Sequence, residues 1–266
     1  MFKQHFGMRF NPFDKDMEVD KLYSSKDIRE LESRLKYMME NRGIFLLVGE
    51  PGSGKSTAVR RFAENLGPSL WRSCYLPLTT LTVNDFYGAL CMMLGEAPRY
   101  RKIDMFMQIQ RAIGTLYREQ KITPVIIIDE IHMASIAVLD DIRMLFNFKM
   151  DSENPYVLIL CGQPVIRNKL ALNACYPLKQ RIAVKYSMAG LDDEETKDYL
   201  KTRMELAGAR EDVFTPQAME QIHKISGGCP RTINNLAIHS LMYAAAKNAD
   251  IVDEEAVYQA NVELSI

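Results

Sequence analysis

The 266 residues include 33 basic and 34 acidic side chains, a net charge of -1, so the chain has no global basic field that would bind nucleic acid through bulk charge. Five cysteines, at positions 74, 91, 161, 175 and 229, show neither C-x-x-C spacing nor pairing with the four histidines, which excludes a zinc module and points to a reduced, cytoplasmic protein. The opening MFKQHFGMRF lacks a secretory apolar region, and no apolar run approaches the roughly 18 to 20 residues that span a bilayer, so no membrane partner is expected.

In chain order, short apolar runs alternate with helical patterns: IFLLVG (44–49), SCYLPL (73–78), VIIIDE (125–130), YVLILCG (156–162) and IAVKY (182–186). That alternation predicts an α/β fold with a parallel sheet flanked by helices. The segment 125–128 has no polar alternation and reads as a central strand buried on both faces. After about residue 190 the text becomes helical. Asp192 with Glu195 three residues on makes a capping box, and Thr215-Pro216 starts a helix that stops at Gly227-Gly228. Pro230 opens a third helix and Asp253 caps a fourth. The reading is therefore an α/β core over 44–190 and a small helical domain over 191–266. Sixteen methionines read as flexible apolar filler.

Gly49-Glu50-Pro51-Gly52-Ser53-Gly54-Lys55-Ser56-Thr57 matches G-x-x-x-x-G-K-[ST], between a strand and a helical segment, where a phosphate-binding loop belongs. Glycines let backbone N–H groups approach phosphate oxygens, and the helix start adds partial positive charge. Lys55 then neutralises the β and γ phosphates of ATP, and Ser56 is a ligand for Mg²⁺. Asp129 and Glu130 follow VIII at the carboxyl end of a parallel strand, the edge where such sheets bind ligands. Asp129 suits the Mg²⁺ shell and Glu130 the polarising of an attacking water. His132, in D-E-I-H, reads as an ordinary polar residue near the site rather than a base.

These motifs are joined in order by LCGQP (160–164), LKQRI (178–182) and GGCPR (227–231). With the opening F-x-x-x-x-NPF (6–13) and the run YLKTRMELAGA after LDDEE, the chain resembles the ExeA/TniB/TnsC-like AAA+ ATPases over nearly its whole length. The resemblance implies an AAA+ P-loop core with a carboxyl-terminal helical lid, and a segment 1–43 that packs on the nucleotide site. There Phe10 to Phe13 and the region of Tyr23 either enclose the adenine or pack in the core. It implies Gln163 as sensor 1, Arg181 as an arginine finger reaching a neighbouring subunit's ATP or else a surface ion pair, and Arg231 as sensor 2 or else a lid salt bridge.

The family works in two settings, secretion and DNA transposition. With no apolar span and no further domain before the end at residue 266, the expectation is transposition. The implied protein is a slow ATPase, coupled to assembly, that forms a ring or helical filament with copies of itself on double-stranded DNA. It would recruit or activate a DDE transposase, with or without a target-selection protein; an ExeA-like secretion or other assembly ATPase is the alternative. The local DNA contacts expected are Thr79, Thr80 and Thr82 after a strand, and Arg99, Arg101 and Lys102 after a helix, a cluster that is otherwise only a solvated loop.

Overall fold

A computed structural model describes residues 2–14, 21–77, 81–209 and 212–265. The five apolar runs form strands β1 (Gly43–Val48), β2 (Trp71–Pro77), β3 (Thr123–Asp129), β4 (Val157–Gly162) and β5 (Ile182–Ser187). All neighbours are parallel, in the order β2-β3-β4-β1-β5. Every residue of β1, β3 and β4 is buried, as strands covered on both faces require, whereas the edge strands β2 and β5 alternate. β2 begins at Trp71, two residues before the sequence reading, because Trp71 pairs with Thr123.

Twelve helices complete the described chain: α1 (Phe2–His5), α2 (Lys26–Asn41), α3 (Lys55–Glu64), α4 (Val83–Met93), α5 (Lys102–Arg118), α6 (Ile136–Leu145), α7 (Ile166–Ala171), α8 (Tyr176–Arg181), α9 (Asp193–Ala207), α10 (Pro216–Ser226), α11 (Pro230–Ala246) and α12 (Glu254–Leu264). The described residues sort into two compact units, one of Glu30–Pro51 and Lys55–Met188, the other of Met1–Arg29, Gly52–Gly54 and Ala189–Ile266.

In the sheet unit, Ile126, Ile128, Leu158 and Leu160 share one core with Phe86 and Leu90 of α4, Ile109 and Ile113 of α5, and Ile142 and Leu145 of α6. Each such side chain, once fully buried, contributes about 1.5–3 kcal/mol. The polar tips are satisfied: Tyr87 donates to Asp141 at 3.0 Å and Tyr156 to the Phe146 carbonyl at 2.7 Å.

In the helical unit, Asp192 caps α9 with the reciprocal Glu195 bond, and Gly208 ends it at φ 74°. Thr215 caps α10 and Asp253 caps α12. Leu200, Ile222, Ile233, Leu236 and Val257 form the core, and Phe6, Met8 and Phe13 from the start of the chain enter it. Phe13 is thus packed among helices, while Phe10 stays exposed and Tyr23 donates to Asp198 at 3.0 Å. The Asp27 carboxylate accepts from the backbone N–H groups of Ala189 and Gly190 at 2.7 and 2.9 Å, pinning the first turn of α2 to the connection that leads into α9. Gly228 has φ 77°, and a Cβ there would lie 2.0 Å from the Leu191 carbonyl oxygen, so the turn before α11 tolerates no side chain.

Candidate functional site: a phosphate-binding loop and paired acids

β1 runs into the glycine-rich loop, and Lys55 and Ser56 open α3. Lys55 is buried, and its Nζ donates to the carbonyls of Gly49 and Glu50 at 2.8 and 2.9 Å, drawing the loop into a curve around the ammonium group. Burial pushes the Lys55 pKa down, against the opposing pull of Glu130 and Asp129. Within the helical unit, Gly52 accepts from the Arg231 backbone N–H at 3.3 Å, and a Cβ on Gly52 would stand 2.7 Å from that of Arg231. Ser53 is buried and Gly54 has φ 94°, the left-handed region open to glycine.

The acids stand at the end of β3. Asp129 is buried, and its Oδ2 accepts from the Ser56 hydroxyl at 3.0 Å and from the Tyr75 hydroxyl of β2 at 3.0 Å. Its Oδ1 accepts from the Glu130 N–H at 2.9 Å. Burial, then the charge of Asp129 and the bond to it, push the Tyr75 pKa up to about 12. A serine hydroxyl and a carboxylate oxygen brought together form a hard oxygen donor pair, which fits Mg²⁺, a cation that takes one or two protein oxygens and completes its shell with phosphates and water.

Glu130 has φ 56° and ψ 34°, a left-handed conformation that costs a non-glycine residue of order 1–3 kcal/mol. This conformation ends β3 abruptly and leaves the Glu130 side chain half-exposed beside a short 3-10 turn, Ile131–Met133. His132, on that turn, brings Nδ1 to 3.2 Å from Glu130 Oε2 and to 3.4 Å from the backbone nitrogen of Gln163, which follows β4. Lys169 of α7 secures the turn by donating to the carbonyls of His132 and Ala134 at 2.6 and 2.8 Å. Gly162 ends β4 directly against it: a Cβ would lie 2.9 Å from Ile131 Cγ2.

Lys55, Ser56, Asp129, Glu130 and Gln163 are therefore carried on the carboxyl ends of β1, β3 and β4 and their following segments. Tyr75, His132 and Lys169 join them without having been singled out as site residues. Arg181 ends α8, where its guanidinium donates to the Arg143 carbonyl at 2.7 Å and pairs with Asp151; burial, then the Arg143 charge, lower its pKa. Arg231 is exposed at the second position of α11.

Thr79 and Thr80 lie outside the described residues. Thr82 is the N-cap of α4, its hydroxyl accepting from the Asp85 N–H at 3.2 Å and donating to the Asp85 carboxylate at 2.5 Å. Arg99 and Arg101 are exposed beside Tyr100. The cluster follows α4 after five intervening residues, 94–98, and leads into α5; Lys102 opens α5 and pairs with Asp141 at 2.6 Å.

A parallel sheet in this order, with β4 inserted between the strand that feeds the glycine-rich loop and the strand that ends in the acids, defines a P-loop ATPase fold. The AAA domain family matches residues 38–170, half of the chain. General secretion pathway protein A of Aeromonas hydrophila is 28% identical over 253 residues, 94% of this chain and 46% of that protein, so the chain spans about half the length of this relative. Among solved structures, the Aeropyrum pernix ORC2 protein in ADPNP-ADP complexes superposes with a TM-score of 0.70 at 16% identity, over 95% of this chain and 71% of that one. The Thermotoga maritima RuvB Holliday junction branch migration motor gives 0.59 at 20% identity, over 91% and 72%. The chain belongs to the AAA domain family and is an ATPase of the AAA+ class. Among the described residues, no helix is long and apolar enough to cross a membrane.

Proposed function

We propose that the chain is an ATP-driven switch that assembles with copies of itself on double-stranded DNA and in that form recruits or activates a DDE transposase. The observation that carries the catalytic half is the convergence of Ser56 and Asp129 at 3.0 Å beside the strained Glu130. In this reading Lys55 and the 49–57 loop hold the phosphates of ATP, Ser56 and Asp129 hold Mg²⁺, and Glu130 takes a hydrogen bond from the attacking water. The metal supplies charge neutralisation at the phosphates. Gln163 senses the γ-phosphate, Arg231 links the helical lid over 191–266 to it, and Arg181 serves the ATP of a neighbouring copy within a ring or filament. Arg181 has to leave the Arg143 carbonyl and Asp151 to do so.

Support for the DNA half is the exposed Arg99-Tyr100-Arg101 cluster, which repetition around an oligomer would multiply into a phosphate-binding surface. A target-selection protein would be a further partner. A second reading, an assembly ATPase of the secretion type, is favoured by the likeness to general secretion pathway protein A across 94% of the chain.

Negative-stain microscopy with ATP and duplex DNA, beside phosphate release with and without DNA, separates the two. Ordered particles that require both ligands support the DNA reading. ATP-dependent particles indifferent to DNA support the secretion-type reading, and an absence of ATP turnover under every condition removes both.

A further inference from the structure

His132 stands between two parts of the site. Its ring is largely shielded from solvent, and its Nδ1 lies 3.2 Å from Glu130 Oε2 and 3.4 Å from the Gln163 backbone nitrogen. One imidazole nitrogen cannot serve both neighbours at once. Carrying a proton, Nδ1 donates to the glutamate; bare, it accepts from the Gln163 N–H. The ring is also held in place from outside: Lys169 fixes the carbonyl of its own residue, and the missing side chain of Gly162 lets the Ile131–His132 backbone settle against the end of β4. Glu130, by contrast, is half-exposed and follows a left-handed backbone turn, so its carboxylate has few other restraints on its direction. Among the described residues, the groups that reach Nδ1 are Glu130 Oε2 and the Gln163 backbone N–H.

We propose that His132 is the positioning residue for Glu130. Donation from Nδ1–H to Oε2 leaves Oε1 free and directed for the attacking water; in the tautomer whose ring proton has moved to Nε2 through exchange with solvent, Nδ1 accepts from the Gln163 N–H and the glutamate is released. The position of the catalytic carboxylate is thereby tied to the strand end that carries Gln163. This inference rests on the reading of Glu130 as the residue that polarises water, and it goes beyond that reading by assigning a role to a histidine that the phosphate-binding motifs do not include.

The test compares His132→Ala, His132→Asn and His132→Gln, alone and with Glu130→Gln, in steady-state ATP hydrolysis and in nucleotide binding by calorimetry. Asn places an amide near the position of Nδ1, and Gln places it nearer that of Nε2. The expected result is a loss in kcat of about 10-fold for His132→Ala and His132→Gln, the scale of a lost supporting hydrogen bond, with KM and nucleotide affinity unchanged. His132→Asn should recover most of the rate. In the Glu130→Gln background, His132→Ala should produce no further loss, because the group it positions is gone. If His132→Ala does not fold, the contrast between Asn and Gln decides.

Wild-type turnover by both Ala and Gln variants, or an equal loss with and without Glu130→Gln, overturns the inference. Wild-type turnover by Glu130→Gln itself overturns instead the reading on which it rests.

Discussion

The Ser56 hydroxyl and the Asp129 carboxylate meet at 3.0 Å although 73 residues separate them, and Tyr75 reaches the same carboxylate oxygen from β2. Two hydroxyl donors fix the direction in which that oxygen faces. Tyr75→Phe removes one of them at little steric cost, and a single net hydrogen bond contributes about 1 kcal/mol. The expected outcome is a roughly 5-fold rise in the Mg²⁺ concentration that half-saturates hydrolysis, with kcat at saturating metal nearly unchanged. A metal titration of the two proteins checks it.

Lys55→Ala should lower ATP affinity at least about 10-fold, since each charge-assisted hydrogen bond to phosphate contributes about 1.5–3 kcal/mol. The change also frees the Gly49 and Glu50 carbonyls that the ammonium now holds, so the loop loses a restraint as well as a charge. Calorimetric titration with ATP measures the loss, and unchanged affinity would reject the phosphate-site assignment.

Arg181 contributes to catalysis across a subunit boundary in the proposed assembly, so Arg181→Ala should bind ATP normally when dilute. Its turnover should fall clearly, though by less than the 10³- to 10⁵-fold associated with arginine fingers in fast P-loop enzymes. Glu130→Gln alone should bind ATP and lose about 10²-fold or more in rate. Mixing the two variants should restore part of the activity at interfaces that unite an intact Glu130 with an intact Arg181. Mixed oligomers without recovery would leave Arg181 as the ion-pair partner of Asp151.

Asp192 supplies a pH-dependent stabilisation of the helical unit. The bond from Lys26, then the Glu195 N–H, lowers the Asp192 pKa below its ordinary 3.8. A lowered carboxylate pKa means that the stabilisation is fully present above the ordinary value and disappears as pH falls through the lowered one. Asp192→Asn keeps a competent cap and removes the charge. Its Tm should lie below that of the wild type at pH 7, by an amount that shrinks in high salt because the pair is exposed. The difference should close below the ordinary aspartate range, and thermal melts across pH 2–7, as an approximate span around that carboxylate range, test it.

The sheet and the caps of the helical unit are legible in the sequence because each rests on local chemistry. VIII suits a doubly covered strand, and Asp192, Thr215 and Asp253 each cap the helix that the reading assigns to them. The phosphate loop and its acids are legible for the same reason, as fixed spacings beside apolar runs. What the sequence hides is non-local. Nothing around Tyr75 announces Asp129, 54 residues away, because their meeting depends on the register that sets Pro77 opposite Asp129. His132 resembles any polar residue after a strand until the left-handed turn at Glu130 aims it. Phe6 and Phe13 carry no mark of the helices they pack against, whose residues begin some 180 positions later.

The strand order also sets a schedule for synthesis. β1 is made first, yet both of its neighbours come late: Gly43 pairs with Val157, 114 residues on, and Ile44 with Ile182. At about 5–20 residues per second, a ribosome takes roughly 6–23 s to produce the first of these partners. For that interval GIFLLV, apolar at every position after its glycine, has neither of its sheet neighbours, whereas both β2 and β3 are already synthesised before β4. The nascent chain is therefore most exposed to aggregation between the emergence of β1 and that of β4, and that interval is where a chaperone would matter most for this protein.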